Sequence, residues 1–373
     1  MNVVKHLSWL DRFLPLWIFL AMALGVGLGH VYPSIGPVLE RVKVADVSLP
    51  IAVGLLWMMY PVLAKVRYES LGEFSTEGRM FGVSLVLNWV IGPIVMFALV
   101  WLLLADMPEY RTGLILVGLA RCIAMVLIWN MLAGGSNETA AILVALNSVF
   151  QIVMYSVLGY LFLAVVPGWL GAEGMVVEIS MWQIARSVLI FLGIPLVAGF
   201  LTRTILVRRR GVAWYEQVFL PRLGPTALIG LLYTIVLMFS MQGEKIVQLP
   251  LDVLRIALPL LLYFIIMWGL AFAISKAMGF SYQHTASLAF TAAGNNFELA
   301  IAVAVGIFGI ASGEALAAVV GPLIEVPALI GLVYVSLWAR RRFFPHEAAA
   351  EAERGTPVPV CVLPGTPPHP EGK

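Results

Sequence analysis

Long apolar runs, each interrupted by a short polar stretch, fill almost the whole chain. A helix crosses the hydrocarbon layer with roughly 20 consecutive apolar residues. Runs of that kind lie at 14–31, 46–64, 80–105, 111–134, 138–166, 181–203, 225–241, 252–277, 283–311 and 314–339. The pattern predicts ten transmembrane helices and an all-α polytopic membrane protein. Met1 to Arg12 is polar and leads into a full-length run with no clean small-residue cleavage site after it. It reads as the start of a retained first helix. Beyond Phe344 the pattern gives way to Glu/Ala and then to prolines, a composition expected to stay disordered.

Lysine and arginine set the orientation. With the N-terminus inside, the inner segments hold Lys5, Arg12, Lys65, Arg67, Arg79, Arg203, Arg208, Arg209, Arg210, Arg222, Lys276, Arg340, Arg341 and Arg342. The outer segments hold only Arg41, Lys43, Arg111, Lys245 and Arg255. Both termini are therefore expected in the cytoplasm, which an even number of crossings requires. Composition agrees: 61% of the 373 residues are hydrophobic, 12% are charged, and the mean hydropathy is +0.95. That excludes a soluble globular domain and makes the lipid bilayer the first partner. A net charge of +2 gives no ground for a nucleic-acid partner. Cys122 lies inside a run and Cys361 in the tail, so no disulfide framework is expected.

Two runs carry groups that lipid does not tolerate. Thr291-Ala-Ala-Gly-Asn-Asn-Phe-Glu298 sets Asn295, Asn296 and an acid in the ninth run, with a glycine that suggests a break in the helix. Broken backbone at membrane depth survives only inside protein or along a cavity, and an intramembrane acid is a functional candidate. The fourth run holds Arg121, about 15 Å deep at helical rise from Arg111, and Cys122 beside it. Arg121 reads as part of a solute pathway or as half of a structural ion pair with Glu298 or Glu325. Cys122 reads as a small buried hydrophobe, or as a soft ligand made more thiolate-like by the neighbouring cation.

Glu298 reads as a proton carrier, since burial disfavours its charged form and Arg121 favours it. The plainer alternative is a hydrogen bond between packed helices. Asn295 and Asn296 suit a hydroxylated neutral solute or a cation, or equally cap a half-helix. Asn88, Asn130, Asn147 and Gln151 read as ties between helices. Glu325, just before Val326-Pro327, reads as tie or pathway lining alike. The tryptophans and tyrosines read as interfacial anchors.

Shifting the chain by 176 superposes the fourth run on the ninth: Gly118 falls on Gly294, Cys122 on Glu298, Ala124 on Ala300, Ser136 on Ser312 and Glu138 on Glu314. Two five-helix halves would have opposite orientations, a recurring design of secondary transporters. Chance alignment of two Ala/Gly/Leu-rich runs is the alternative.

These residues carry a resemblance. The stretches Gly118-Leu-Ala-Arg-Cys-Ile-Ala-Met-Val-Leu-Ile-Trp-Asn130, Ala141-Ile-Leu-Val-Ala-Leu-Asn-Ser-Val-Phe-Gln151, Phe290-Thr-Ala-Ala-Gly-Asn-Asn-Phe-Glu-Leu-Ala-Ile-Ala-Val-Ala304 and Gly321-Pro-Leu-Ile-Glu-Val-Pro327 are similar to those of the arsenite efflux transporters. That arsenical-resistance family sits in the bile acid/arsenite/riboflavin transporter superfamily. The resemblance covers the membrane portion, while Gly134-Gly-Ser-Asn-Glu138 departs from the family's pattern. It implies two inverted five-helix halves, 1–170 and 171–343, a tail at 344–373, and discontinuous crossed helices in the fourth and ninth positions.

It also implies export of trivalent arsenite from the cytoplasm in exchange for protons, with antimonite a further candidate cargo. Cys122 takes the place of the family's essential cysteine, the arsenic ligand, and Glu298 that of its essential glutamate. No cofactor is implied, and no ATPase subunit is indicated by the sequence. A sodium-coupled organic-anion symporter on the same scaffold is the rival. An enzyme is disfavoured because no His or Asp partner for Cys122 lies in the runs.

Overall fold

The computed structural model describes residues 13–345, apart from 33, 36–37, 39–42, 45–46, 68–77, 124, 172–179, 247–249 and 310–311. The polar start with Lys5 and Arg12, the outer Arg41 and the tail with Cys361 lie outside the described residues. What is described is nearly all helix. In chain order the helices are α1 (Leu14–Val31), α2 (Leu49–Ala64), α3 (Gly78–Leu103), α4 (Pro108–Leu119), α5 (Met125–Ala133) and α6 (Asn137–Trp169). There follow α7 (Met181–Arg210), α8 (212–246), α9 (Pro250–Ala277), α10 (Tyr282–Ala293), α11 (Phe297–Phe308) and α12 (Gly313–Phe343). A two-stranded antiparallel ladder, Lys43–Val44 with Val47–Ser48, precedes α2.

Six of these helices are long and apolar enough to cross a membrane unaided, and α1, α2 and α11 are shorter apolar helices. Large apolar side chains on them face outward in stripes, such as Val86, Val90 and Ile94 on α3 and Leu254, Leu258, Leu261 and Ile265 on α9. A water-soluble protein would hide such stripes; here they recur at helical spacing and suit contact with lipid tails. This is a multi-pass membrane protein.

Four helices contain a wide turn in which the chain bonds i→i−5, and each has the same cause. The turns at Leu87–Ile91, Leu161–Val165, Leu189–Gly193 and Tyr215–Phe219 each end one residue before the pair that carries Pro93, Pro167, Pro195 or Pro221. Proline lacks the N–H that would bond the i−4 carbonyl, and its ring crowds that carbonyl. One extra residue in the preceding turn relieves both faults without ending the helix. This also explains why α8 runs from 212 to 246, well beyond the expected 225–241: Pro221 and Pro225 lie within a helix that accommodates them.

The helices pack as two groups. In one, α8 lies against α1 and α2, and α2 against the later part of α7. Gly25 and Gly29 let α1 close on α8, since a Cβ on Gly29 would lie 2.2 Å from the Ser240 carbonyl oxygen. Small residues four apart are the usual device for such close contact between membrane helices. In the other group α12 packs on α4, α5, α9 and α11, with α3, α6 and α10 around them. In the turn after α3, Asp106 accepts from the Arg255 guanidinium, which holds its carboxyl below the ordinary carboxylate range.

Candidate functional site

The site lies where two helices stop. α4 ends at Leu119 and α5 starts at Met125; α10 ends at Ala293 and α11 starts at Phe297. The expected break in the ninth run is thus matched by one in the fourth, and the two are bonded to each other. The Cys122 N–H donates to the Gly294 carbonyl at 3.3 Å, and the Asn296 N–H to the Ala120 carbonyl at 3.1 Å. Arg121 faces Asn295 in an antiparallel bridge. The Asn295 side-chain amide donates to the carbonyls of Val117 at 2.7 Å and Ala120 at 3.3 Å, which closes the end of α4. Asn296 Oδ1 accepts from the Leu299 N–H at 2.9 Å and caps α11. Peptide groups that either break alone would leave bare in lipid are satisfied by the other.

Ser136 and Ser312, which the shift of 176 superposes, each cap the start of a helix, α6 and α12.

Extended backbone sends successive side chains to opposite sides, and this corrects two expectations about Arg121. Its guanidinium donates to the Tyr263 hydroxyl at 2.9 Å and to the Gly118 carbonyl. It forms no ion pair among the described residues, so the expected pair with Glu298 or Glu325 is absent. Nor does it act on Cys122. The charged groups facing that thiol are the carboxylates of Glu325 and Glu298, and the N–H groups of Met125 and Val126 at the start of α5 point to its sulfur. Helical spacing had placed Arg121 and Cys122 side by side; the break in the helix separates them.

Around the sulfur the remaining groups converge. Glu298 sits in the first turn of α11, where the helix start carries partial positive charge. From Thr285 to Val305 it is the one residue that is not buried. Glu325 comes from α12, between Pro322 and Pro327, is acted on by Glu298, and receives the backbone N–H of Asn295. Its Oε1 has no partner, nor have Asn295 Oδ1 and Asn296 Nδ2. Gly294 makes the approach possible, for a Cβ there would stand 2.9 Å from that of Cys122. Gly321 likewise admits the ring of Phe297 against α12; a Cβ would meet it at 1.8 Å.

Cys122, Glu298, Glu325 and Asn296 are therefore brought together, with the side chains of Arg121 and its bridge partner Asn295 on the other side. Among the described residues no group of three or more His, Cys, Asp and Glu could hold a metal ion. Asn130 is the helix tie it was expected to be. It donates to the Ser136 carbonyl at 3.1 Å and accepts from Ser287 at 2.8 Å, which ties α5 to α10. Trp129, expected at an interface, is instead fully buried. Sequence reasoning missed Tyr263. Its contact with Arg121 spans 142 positions and has no local signature.

The profile of the Sodium Bile acid symporter family matches residues 52–249. An arsenical-resistance protein Acr3 of Corynebacterium glutamicum is 54% identical over 342 residues, 92% of each chain. This chain belongs to that transporter family. Within it, the resemblance to the arsenite efflux group holds. A second arsenical-resistance protein Acr3, from Alkaliphilus metalliredigens, is 34% identical over 93% of this chain and 98% of its own. An uncharacterized transporter of Synechocystis sp. is 35% identical over 88% of each. Family and relatives are transporters, not enzymes.

Proposed function

We propose that this transporter exports arsenite from the cytoplasm in exchange for protons. The observation that carries the reading is the convergence of Cys122, Glu298 and Glu325 on the crossing of two broken helices. The chain crosses the membrane ten times in two inverted halves, 1–170 and 171–343, with both termini and the tail in the cytoplasm. Half-helix ends meeting near the midplane are how secondary transporters build a site within lipid.

Arsenous acid is neutral at physiological pH, hydroxylated and thiophilic. At Cys122 a sulfur–arsenic bond forms as one arsenic–hydroxyl bond breaks, and the thiol proton leaves with the hydroxide as water. The remaining hydroxyls hydrogen-bond the groups that have partners to spare, Asn296 Nδ2 and Glu325 Oε1. A single thiol gives a hold weak enough to reverse. Arg121 serves the site through its backbone, which aligns the two breaks.

Glu298 carries a proton when arsenic is absent and loses it when arsenic is held. Because proton and solute favour alternate occupancy of one site, exchange follows from differential affinity alone. Antimonite has the same soft, hydroxylated chemistry and is an expected second cargo.

Everted membrane vesicles test the coupling. Arsenite uptake is expected to follow an imposed pH gradient, acid inside, and to ignore a sodium gradient. Uptake that needs sodium and ignores pH would replace this reading by the sodium coupling in the matched family's name.

A further inference from the structure

Arg121 is a fully buried charge whose guanidinium touches no carboxylate among the described residues. Its charge is partly offset by the carbonyl end of α4, through Gly118, and a helix end supplies only about half an elementary charge. Leaving the rest bare inside a membrane protein costs several kcal/mol or so by general estimates. Something negative belongs there.

The neighbouring groups say what kind. Gln151 Oε1 accepts from the Arg121 N–H at 3.0 Å, and Asn147 Oδ1, one turn earlier on α6, accepts from Trp89 Nε1 at 3.1 Å. These bonds fix the orientation of both amides, so the ends left over are their NH2 groups. Gln151 Nε2, Asn147 Nδ2 and Arg121 Nε are all buried without a partner. The Tyr263 hydroxyl accepts from the guanidinium, which leaves its own O–H free to donate. The Tyr155 hydroxyl is spent on the Leu116 carbonyl. Gly92, just past the wide turn of α3, leaves the guanidinium room, since a Cβ there would lie 3.1 Å from both Arg121 Nη1 and the Tyr263 oxygen. Two acceptors lack partners as well, Asn88 Oδ1 on that turn and Asn295 Oδ1 on the residue that faces Arg121 across the bridge. A set in which donors outnumber acceptors around an uncompensated cation does not suit a metal ion or an ammonium group.

We propose that Arg121, Gln151, Asn147 and Tyr263 bind a small monovalent anion, chloride in ordinary media, on the side of the crossing away from Cys122. The anion is a structural partner of the bridge between the broken helices. The inference does not rest on which solute is transported.

The test uses the purified full-length protein in detergent. Thermal unfolding is followed by tryptophan fluorescence while chloride replaces gluconate at constant ionic strength. Ligand that binds only the folded state raises its stability as the site fills. A saturable rise in Tm of about 2 °C or more is therefore expected, with bromide able to replace chloride. Gln151→Glu keeps the acceptor for the Arg121 N–H and sets a carboxylate beside the guanidinium. That variant should unfold at or above the chloride-saturated temperature of the unaltered protein, with no response to chloride. Arg121→Gln should also lose the response. A Tm indifferent to chloride in the unaltered protein, as water alone around Arg121 would give, overturns the proposal. So does a chloride response in Gln151→Glu equal to that of the unaltered protein.

Discussion

Glu298→Gln is expected to reduce pH-driven arsenite exchange in everted vesicles to the background of vesicles lacking the transporter. The amide matches the protonated acid in shape and hydrogen bonding, so α11 keeps its first turn and its cap on Asn296. What it loses is the ability to give up a proton. A site frozen in its proton-bearing form cannot alternate between cargo and counter-ion, and a ligand that no longer discriminates between states shifts nothing. By the same logic the variant, fixed in the proton-bearing form, should bind arsenite more weakly at Cys122 while reaching the membrane at its usual level, which separates loss of coupling from loss of the protein. Undiminished exchange would remove Glu298 from the mechanism and leave Glu325, the other carboxyl facing the sulfur, as the carrier.

Cys122→Ser removes the other half of the site. Serine is nearly isosteric, and its hydroxyl can still accept from the N–H groups at the start of α5 that now point at sulfur. The helix break should therefore form, with stability changed by about 1 kcal/mol or less. Oxygen is a hard donor and has no preference for trivalent arsenic. Cells that depend on this protein should accumulate arsenite and lose resistance, while the variant reaches the membrane at its usual level. Full resistance in such cells would show that cargo is held without the thiol.

Much of this site was legible in the order of residues because lipid is an intolerant solvent. Glycine, two amides and an acid between Thr291 and Glu298 have few uses in a run of apolar residues, so the break and the candidate acid could be read directly. Arg121 was misread for a physical reason. Its pairing with an acid and its influence on Cys122 assumed helical spacing through the fourth run. Once the backbone there is extended, adjacent side chains part company, and only the partner strand at Asn295 shows that it is extended. Tyr263 could not be found at all, because its role exists only in three dimensions. The wide turns were written in the chain, each just before a proline-bearing pair, and could have been expected from what proline lacks. Asn295 and Asn296 were legible as polar groups able to cap a half-helix, and Asn296 does cap α11, its Oδ1 accepting from the Leu299 N–H.

Binding itself gives the most direct test of alternate occupancy. The reaction of a thiol with arsenous acid yields water and no free proton, so any proton released on binding must come from another group. Arsenite added to purified protein in weakly buffered detergent solution should release close to a whole proton per arsenite bound, read with a pH electrode, and Glu298→Gln should bind arsenite more weakly, with no release for what it does bind. Tight arsenite binding by the unaltered protein with no proton released would contradict the claim that cargo and proton displace each other.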